Sequence, residues 1–333
     1  MRNIIISRTD NLGDVVLSLP VAGKLKQVYP NAKIIFLGKA YTEPIISSSI
    51  FIDEFWDKEK LTQYNASEID AIVFLFPDIE VAKWAKKNQI KFRIGTSHRW
   101  WHWLYCNKLI NFSRKKSNLH EAQLNFKLLQ PFGIKSEIAL KEIPALYGMK
   151  SSDDFPDFLK NIFQKDKTKV ILHTKSKGSA REWPIENYFH LAQQLSPEDY
   201  QIFITGTEAE GDLIKKQQSD IFNLPNVTDL TGKLSLKELI NFIGEADILV
   251  ACSTGPLHIA AALNKLAIGI FPNIKPMHPQ RWKPLGKHVE VVHIDKENCR
   301  ECVNDANKCN CIKSVSVSQI KDIISKSKLF INY

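Results

Sequence analysis

The sequence contains no apolar run of the ~18 residues that a membrane-spanning helix requires. It also lacks the N-terminal basic region, apolar segment and cleavage site of a secretory signal peptide, because a strand-like run begins at Asn3. These absences argue against an integral membrane protein and against a secreted precursor. We therefore expect a cytoplasmic protein.

Two familiar phosphate-binding motifs are missing as well. Neither G-x-G-x-x-G nor a Walker A sequence occurs, which disfavours a dinucleotide oxidoreductase and a P-loop NTPase. No Asp-x-Asp pair is present either. If the protein binds a diphosphate, we expect lysines, arginines and helix N-termini to neutralise it without a metal or other cofactor.

Cysteine is scarce except in one segment. Four of the six cysteines lie within thirteen residues: Cys299, Cys302, Cys309 and Cys311. In a reducing compartment this clustering favours thiols or a metal site over disulfides. Four thiolates could hold a structural zinc ion, but the C-x-C half is tighter than the usual half-site. A structural loop without metal is the favoured interpretation.

Acidic residues are absent from residues 91–118, which carry seven of the cations behind a net charge of +9. The same stretch contains "SHRWWHWLYCNK", and cations beside tryptophans suit the headgroup region of an anionic membrane or a phosphorylated glycolipid. A buried aromatic cluster and nucleic-acid binding are the alternatives, the latter disfavoured because no known nucleic-acid module surrounds the stretch. The candidate acceptor or membrane contacts are Arg93, Arg99, Trp100 and Trp101.

The order of apolar segments predicts two α/β domains. A chain of 333 residues accommodates two domains of roughly 150 residues, and periodicity fades in a linker at residues 140–156. Short apolar runs alternate with helical patterns on both sides of it, for example a strand at 3–7 followed by a helix at 13–28. We expect Rossmann-like domains at 1–150 and 151–333 that face each other across a cleft, with the last helix packing back on the first domain. Ligands should bind where the strands end.

The turn after the first strand, "SRTDNLGDVVLSLP", contains Asp10 and Asp14. A carboxylate at a strand-to-helix turn is either a helix cap or a catalytic group, and the turn alone does not decide between them.

Two later turns are suited to phosphate. "HTKSKGSAREWP" offers hydroxyls and cations before a helix, and "CSTGPLHIAAAL" places a helix N-terminus directly after a strand. A solvated loop and a core histidine are the alternative interpretations.

These segments together carry a family resemblance. "RTDNLGDVVLSLPVAGKLKQVYPNAKIIFL", "FRIGTSHRWW" with "HEAQLNFKLLQPFGI", "REWPIENYFHLAQQL", "TGTEAEGD" and "STGPLHIAAAL" resemble the heptosyltransferase-type glycosyltransferases of family 9, which act in lipopolysaccharide core assembly. The resemblance runs from Met1 to about Ile320. It implies a GT-B architecture with an N-terminal acceptor domain and a C-terminal donor domain. It also implies inverting, metal-independent transfer from a nucleotide sugar, usually ADP-heptose.

Site residues follow from the same resemblance. Asp14 takes the position of the catalytic base. Asp10 lies in the same turn but matches no expected position, so it is a secondary candidate for acceptor contact, together with His120. The donor-binding residues that the resemblance implies are Thr174, Lys175, Arg181, Glu210, Thr254, Gly255 and His258, and Lys177 and Ser253 of the same turns are added as candidates. One departure is Ser253, where founding members carry an Asp that helps to hold the donor.

The expected function is transfer of a heptose or related sugar to a lipopolysaccharide or lipooligosaccharide acceptor at the cytoplasmic face of the inner membrane. Three alternatives remain at this point: a transferase for another nucleotide sugar, a protein that binds a nucleotide sugar without transferring it, and an anionic-lipid or nucleic-acid binding protein. No nucleic-acid partner is expected in the favoured interpretation.

Overall fold

A computed structural model describes residues 1–160, 162–274, 277–294, 305 and 308–331, with side chains up to residue 327. The chain divides into two compact units, Met1–Lys150 and Ser151–Tyr333. Each unit contains one six-stranded parallel sheet with helices between successive strands. The predicted α/β class with two Rossmann-like halves is confirmed. Among the described residues, no helix has both the length and the apolar character needed to cross a bilayer.

Unit 1 is built on strands whose side chains are almost continuously apolar. Ile4, Ile5 and Ile6 are completely buried, as expected for a parallel strand covered on both faces. The sheet order is β3-β2-β1-β4-β5-β6. The strands are β1 Asn3–Ser7, β2 Lys33–Gly38, β3 Glu54–Asp57, β4 Ala71–Phe74, β5 Phe92–Thr96 and β6 Lys108–Ile110. The helices are α1 Leu12–Val16, α2 Leu19–Val28, α3 Glu43–Ser47, α4 Ile79–Lys87, α5 His102–Tyr105 and α6 Glu121–Lys127, with 3-10 turns at Ala40–Thr42, Lys58–Gln63, Gln130–Phe132 and Leu140–Leu146.

The first helix is shorter than predicted. The helix predicted at 13–28 is two helices, α1 and α2, separated by Leu17 and Ser18. Pro20 lies in the first turn of α2, where its missing N–H costs nothing, whereas in a continuous helix it would remove a hydrogen bond. The break leaves α1 as a short segment that carries Asp14.

Unit 2 repeats the same architecture with the order β12-β11-β10-β7-β8-β9. The strands are β7 Thr168–His173, β8 Tyr200–Ile204, β9 Val227–Asp229, β10 Ile248–Cys252, β11 Leu266–Ile270 and β12 Val289–Val292. The helices are α7 Asp157–Lys160, α8 Ile185–Gln194, α9 Glu208–Gln218, α10 Leu236–Glu245, α11 Gly255–Ala262, α12 Pro279–Trp282, α13 Asn310–Lys313 and α14 Val317–Ile331, with a 3-10 turn at Ser219–Asn223.

The last helix belongs to unit 2. Ile320 and Ile324 of α14 are fully buried in the same apolar core as Leu191 of α8.

Both sheets reverse their strand order at the equivalent place. In unit 1 the chain leaves β1 toward β2 on one side and later adds β4 on the other, and in unit 2 the strands β7 and β10 have the same relation. The turns that follow such a pair diverge and leave a crevice at the carboxyl edge of the sheet, where open α/β proteins bind ligands. The turns after β1, β7 and β10 are those that the sequence singled out.

Candidate active site

A buried arginine organises the turn after β1. Arg8 is only 3% exposed, and its Nε and Nη2 donate to the two carboxylate oxygens of Asp10 at 2.8 and 2.9 Å. Nη2 also donates to Oδ1 of Asp14 in the first turn of α1. Arg8 thus holds two carboxylates of the same turn through one planar guanidinium group.

Helix α6 contributes a third carboxylate to the same arginine. Nη1 of Arg8 donates to Oε1 of Glu121 and to Oδ1 of Asn125, each at 3.2 Å. Arg114 also donates to Oε1 of Glu121 and reaches Oδ1 of Asn125 at 3.0 Å. The carboxylate cluster, defined here as Arg8, Asp10, Asp14, Glu121 and Arg114, therefore combines three acids with two guanidinium groups.

The environment makes Asp14 an unusually basic carboxylate. The pKa of Asp14 is raised to about 6. Burial is the largest cause; the charge of Arg8 lowers the pKa in part, and the neighbouring charge of Asp10 raises it. The side chain keeps 16% exposure. A carboxylate with these properties can accept a proton near neutral pH.

The cap interpretation of Asp14 is not what the structure shows. Asn11 occupies the N-cap position of α1, and Asp14 follows it at the third helical residue with its side chain on Arg8. The carboxylate is available to solvent and to a substrate on its remaining face.

His120 has a local structural task. It is 1% exposed and caps α6, its Nδ1 accepting from the backbone N–H of Ala122 at 3.2 Å while Gln123 closes the capping box. Its position fixes the start of the helix that presents Glu121. We therefore assign it to the support of the carboxylate cluster and not to direct acceptor contact.

In unit 2, two buried hydroxyl groups lie at the carboxyl ends of neighbouring strands. Thr174 follows β7 and Thr254 follows β10, and the two strands pair directly. Both Oγ1 atoms are buried and have no hydrogen-bond partner within the described part of the chain. A buried hydroxyl without a partner is costly, so these two groups are suited to bind a ligand or an ordered water at this edge of the sheet.

Helix α11 begins at the same place. Thr254 is its N-cap but does not cap it with its side chain, and Pro256 occupies the first turn. The first backbone N–H groups of the helix are therefore oriented toward the crevice, where they favour an anion. Ser253 and Gly255 are half-buried beside them, and His258 is buried in the next turn.

The loop between β7 and α8 is a tight, anchored turn. The N–H of Ser179 donates to the carbonyl of Ser176 at 3.0 Å, with Lys177 and Gly178 both at positive φ between them. Trp183 fixes the end of the loop, its indole Nε1 donating to the carbonyl of Val315 at 2.9 Å. The half-buried Arg181 lies within this anchored segment.

A cavity of about 390 Å³ opens beside this loop and brings three predicted donor residues together: Lys175, Lys177 and Glu210. Nζ of Lys175 donates to Oε1 of Gln217 at 2.7 Å, so α9 holds it in position. Oε2 of Glu210 accepts from the N–H of Thr207 at 2.7 Å in a capping box. Glu210 thus has a structural role at the start of α9 as well as a position on the cavity wall.

A second cavity, of about 640 Å³, lies at the opposite edge of the unit 2 sheet. Its lining includes Asp247, Lys265 and His288, which directly precede β10, β11 and β12. Because ligands of open α/β sheets bind at the carboxyl ends of strands, the smaller cavity is the better candidate site.

The aromatic stretch divides into a buried and an exposed part. Trp101 is half-buried, and its ring packs edge-to-face against that of His102 with the ring centroids 4.2 Å apart. Arg93 donates to the carbonyls of Ile90 and Tyr105, so its guanidinium group stabilises the local backbone. The apolar surface, defined as Trp100, Trp103 and Leu104, is 73%, 65% and 54% exposed. Arg99 is exposed next to it in the chain.

The cysteine segment is described only in part. Cys309 and Cys311 are buried with their sulfur atoms 3.4 Å apart, and the N–H of Asn273 lies 3.5 Å from the sulfur of Cys311. Cys299 and Cys302 lie outside the described residues. Within the described ranges, no group of three or more His, Cys, Asp or Glu side chains is placed to hold a metal.

Comparison with known proteins identifies the class. The profile of Glycosyltransferase family 9 (heptosyltransferase) matches residues 67–313. A Haemophilus influenzae protein assigned provisionally as a glycosyltransferase is 29% identical over 311 residues, 87% of this chain and 88% of its own. The lipopolysaccharide core heptosyltransferase OpsX of the same organism is 22% identical over 90% of this chain and 86% of its own.

The fold agrees with a solved member of the family. The structure of Escherichia coli ADP-heptose lipopolysaccharide heptosyltransferase II superimposes with a TM-score of 0.77 over 100% of both chains, at 16% sequence identity. The profile match, which covers more than half of the chain, defines a glycosyltransferase with this fold. The chain belongs to glycosyltransferase family 9, the heptosyltransferases, and the predicted resemblance is confirmed.

Proposed function

We propose that this enzyme transfers a heptose or closely related sugar from ADP-heptose to a lipopolysaccharide or lipooligosaccharide core acceptor, with inversion and without a catalytic metal. The observation that carries the proposal is the Asp14 carboxylate, buried beside Arg8 at the strand-order reversal of unit 1 with a pKa raised to about 6. The names of the family relatives support heptose and a lipopolysaccharide core as the substrates.

In the proposed reaction Asp14 acts as the general base. It accepts the proton of an acceptor hydroxyl while that oxygen attacks the anomeric carbon of the donor, and the bond from that carbon to the diphosphate oxygen breaks. One displacement inverts the configuration and needs a single carboxylate, in contrast to the pair used by glycosidases.

The leaving diphosphate requires positive charge, which unit 2 can supply. We propose that the hydroxyls of Thr174 and Thr254 and the N–H groups of α11 bind the phosphates, because these groups lie together at the carboxyl edge of β7 and β10. Lys175 and Lys177 add charge from the adjacent loop. Supporting roles are proposed for Arg181, Ser253, Gly255 and His258.

Donor identity depends on two positions in particular. Glu210 lines the cavity beside the phosphate loop, where its second carboxylate oxygen can accept bonds from ribose hydroxyls. Ser253 replaces an Asp expected from the family resemblance, so the sugar is held here by a neutral side chain. Transfer with a donor of the same class, but with a different preference among sugars, is therefore compatible with the site.

The acceptor's membrane is the proposed partner of the apolar surface. Trp100, Trp103 and Leu104 are exposed, and Nε1 of Trp103 donates to the carbonyl of Ser97 at 3.0 Å, which fixes its ring. Nζ of Lys86 donates to the carbonyl of Leu104 at 2.9 Å and brings a cation beside the surface. Aromatic rings and cations in this combination suit an anionic lipid headgroup layer, and we place the enzyme at the cytoplasmic face of the inner membrane.

The test combines binding with product analysis. ADP-heptose should raise the melting temperature of the enzyme more than ADP-glucose, UDP-glucose or GDP-mannose does, because only a ligand of the native state stabilises it. Incubation with ADP-heptose and a purified lipid A-core acceptor should then yield a product one heptose heavier. The NMR spectrum of this product should show an anomeric configuration opposite to that of the donor. Binding without product would instead support a protein that retains the donor site but has lost transfer. A response to UDP-glucose alone would assign a different donor.

A further inference from the structure

We propose that Glu121 of α6, acting through Arg8, is the positioning residue that holds Asp14 in place and keeps its carboxylate basic. The inference rests on the proposed role of Asp14 as the general base. It adds a residue that is 113 positions away from Arg8 in the chain and that the sequence did not single out.

Every N–H group of the Arg8 guanidinium donates a hydrogen bond. Nε donates to Asp10, Nη2 donates to Asp10 and Asp14, and Nη1 donates to Glu121 and Asn125. A guanidinium group has five donors in one rigid plane, so the partners on one edge fix the direction of the other edge. Glu121 therefore determines how Arg8 presents itself to Asp14.

Helix α6 is also tied to the segment that carries Asp14. Nδ2 of Asn125 donates to the carbonyl of Leu17 at 3.2 Å, at the break between α1 and α2. On the other side of that break, Oγ of Ser18 donates to the carbonyl of Asp14 at 2.7 Å. A displacement of α6 would consequently reach the backbone of the proposed base.

The negative charge of Glu121 counteracts the effect of Arg8 on the pKa of Asp14. A carboxylate paired with a buried arginine normally becomes a weak base, because the positive charge stabilises its ionised form. Glu121 is 1% exposed, shares the charge of Arg8 and repels the negative charge of Asp14. Arg8 can thus orient the Asp14 carboxylate without lowering its pKa below the usual value.

The other charged groups around Asp14 define the expected direction of each change. Asp10 and Glu121 act on it with negative charge, and Arg8 and Arg114 with positive charge. Tyr41 interacts electrostatically with Asp10 and Asp14, and its hydroxyl donates to the carbonyl of Asp10 at 2.9 Å. Removal of a negative neighbour should make Asp14 less basic, and removal of a positive neighbour should make it more basic.

The test is the pH profile of kcat/KM between pH 5 and 9 for two variants with opposite expected effects. Glu121→Gln keeps the shape of the side chain and removes its negative charge. The acidic limb should move down by about 0.5–1 pH unit, because the repulsion between the Glu121 and Asp14 carboxylates is weakened by an effective dielectric of about 20 or more. Its rate on the plateau should fall several-fold. Arg114→Gln, which removes a cation that is 24% exposed, should move the limb upward.

A purely structural role for Glu121 predicts something else: a lower plateau with the acidic limb at the wild-type pH, and that result would overturn the inference. If Glu121→Gln does not fold, as judged by circular dichroism and melting temperature, the double variant Glu121→Gln, Arg114→Gln removes both partners of the buried ion pair and is compared with Arg114→Gln. Its acidic limb should lie below that of Arg114→Gln, and equal limbs would overturn the inference. Glu142→Gln, an exposed residue of unit 1, is the matched control and should leave limb and plateau unchanged.

The Asp14→Asn variant separates this inference from the proposed function. If Asp14→Asn is inactive at every pH while the acidic limb of Glu121→Gln stays at the wild-type pH, only the role of Glu121 is wrong. If Asp14→Asn is active, the base itself is misassigned and the proposed reaction fails with it.

Discussion

At the scale of single residues, the chemistry depends on a carboxylate that is held firmly but remains basic. Asp14 is bound by a buried arginine, yet burial outweighs that attraction and raises its pKa to about 6. Enzymes commonly adjust a general base toward the working pH in this way. The arrangement explains why a turn of few residues carries so many charges.

The pH dependence of the wild-type enzyme follows from this pKa. Because a base must be ionised to accept a proton, kcat/KM should be constant above about pH 7 and should fall about tenfold per pH unit below pH 6. Initial rates in buffers of constant ionic strength measure the profile. A rate that stays constant down to pH 4.5 would contradict a base with a raised pKa.

The sequence predicted Asp14 as the candidate base but not the residues around it. The turn "RTDNLGD" left a cap and a catalytic group as alternatives, and the family resemblance chose between them. Glu121 could not be found from local pattern, because its meeting with Arg8 depends on how α6 packs beside β1. The available signal was Glu121 itself, an acidic residue immediately after His120 in "HEAQLN", in a segment whose apolar residues have helical spacing.

At the scale of elements, the site consists of short turns held in one conformation by the strands and helices that flank them. The loop from Thr174 to Trp183 is the clearest case, since its turn needs two consecutive residues at positive φ and Trp183 anchors its end. Glycine satisfies one of these positions without strain.

The substitution Gly178→Ala tests this loop. Gly178 has φ of +77° and open space around the site of an added Cβ, so the change introduces backbone strain of about 1–2 kcal/mol without a clash. We expect a donor KM about 3- to 10-fold higher and a nearly unchanged kcat, measured by steady-state kinetics with varied donor.

A matched control exists in the other unit. Gly133 has φ of +73° and equally open surroundings, but it ends the 3-10 turn Gln130–Phe132 of unit 1 and belongs neither to the carboxylate cluster nor to the loop from Thr174 to Trp183. Gly133→Ala should carry the same strain and leave the donor KM unchanged. An equal rise of KM in both variants would show that the effect is general destabilisation.

Strands were easier to predict than helix ends. The strand predicted at 3–7 is β1, because a buried parallel strand leaves a continuous apolar run. Apolar residues at helical spacing begin at Leu119, but α6 begins at Glu121, since His120 caps it in an extended conformation. The break at Leu17 and Ser18 was also missed, although Pro20 signals a first helical turn. Capping and tertiary packing, not periodicity, fix these limits.

At the scale of the whole molecule, the chain contains the same strand order twice with different chemistry in the turns. Unit 1 supplies carboxylates after its first strand, and unit 2 supplies hydroxyls, cations and a helix N-terminus after the equivalent strands. The alternation of apolar runs predicted both sheets. The proposed division of donor and acceptor binding between them depends on the family resemblance, because composition alone does not distinguish donor from acceptor.

The net charge of +9 and the apolar surface together predict association with anionic lipid. Vesicles of phosphatidylglycerol and phosphatidylethanolamine should bind the enzyme, and binding should weaken as salt is raised. The double variant Trp100→Ser, Trp103→Ser should bind at least about tenfold more weakly, since each ring removed costs about 1 kcal/mol or more of apolar burial.

The control for this prediction is Phe158→Ser, which removes a side chain of unit 2 that is 52% exposed. It should bind vesicles as the wild type does in sedimentation assays. Equal loss in the control, or full binding by the double variant, would show that the apolar surface does not contact the membrane.

The single-turnover rate of Asp14→Asn tests the central claim most directly. Saturated with ADP-heptose and lipid acceptor at pH 8, the variant should transfer sugar at least about 100-fold more slowly than the wild type, with a donor Kd within about twofold. Its melting temperature should not be lower, because a raised pKa means that the ionised carboxylate opposes folding above pH 6. Transfer within tenfold of the wild-type rate would show that Asp14 is not the base.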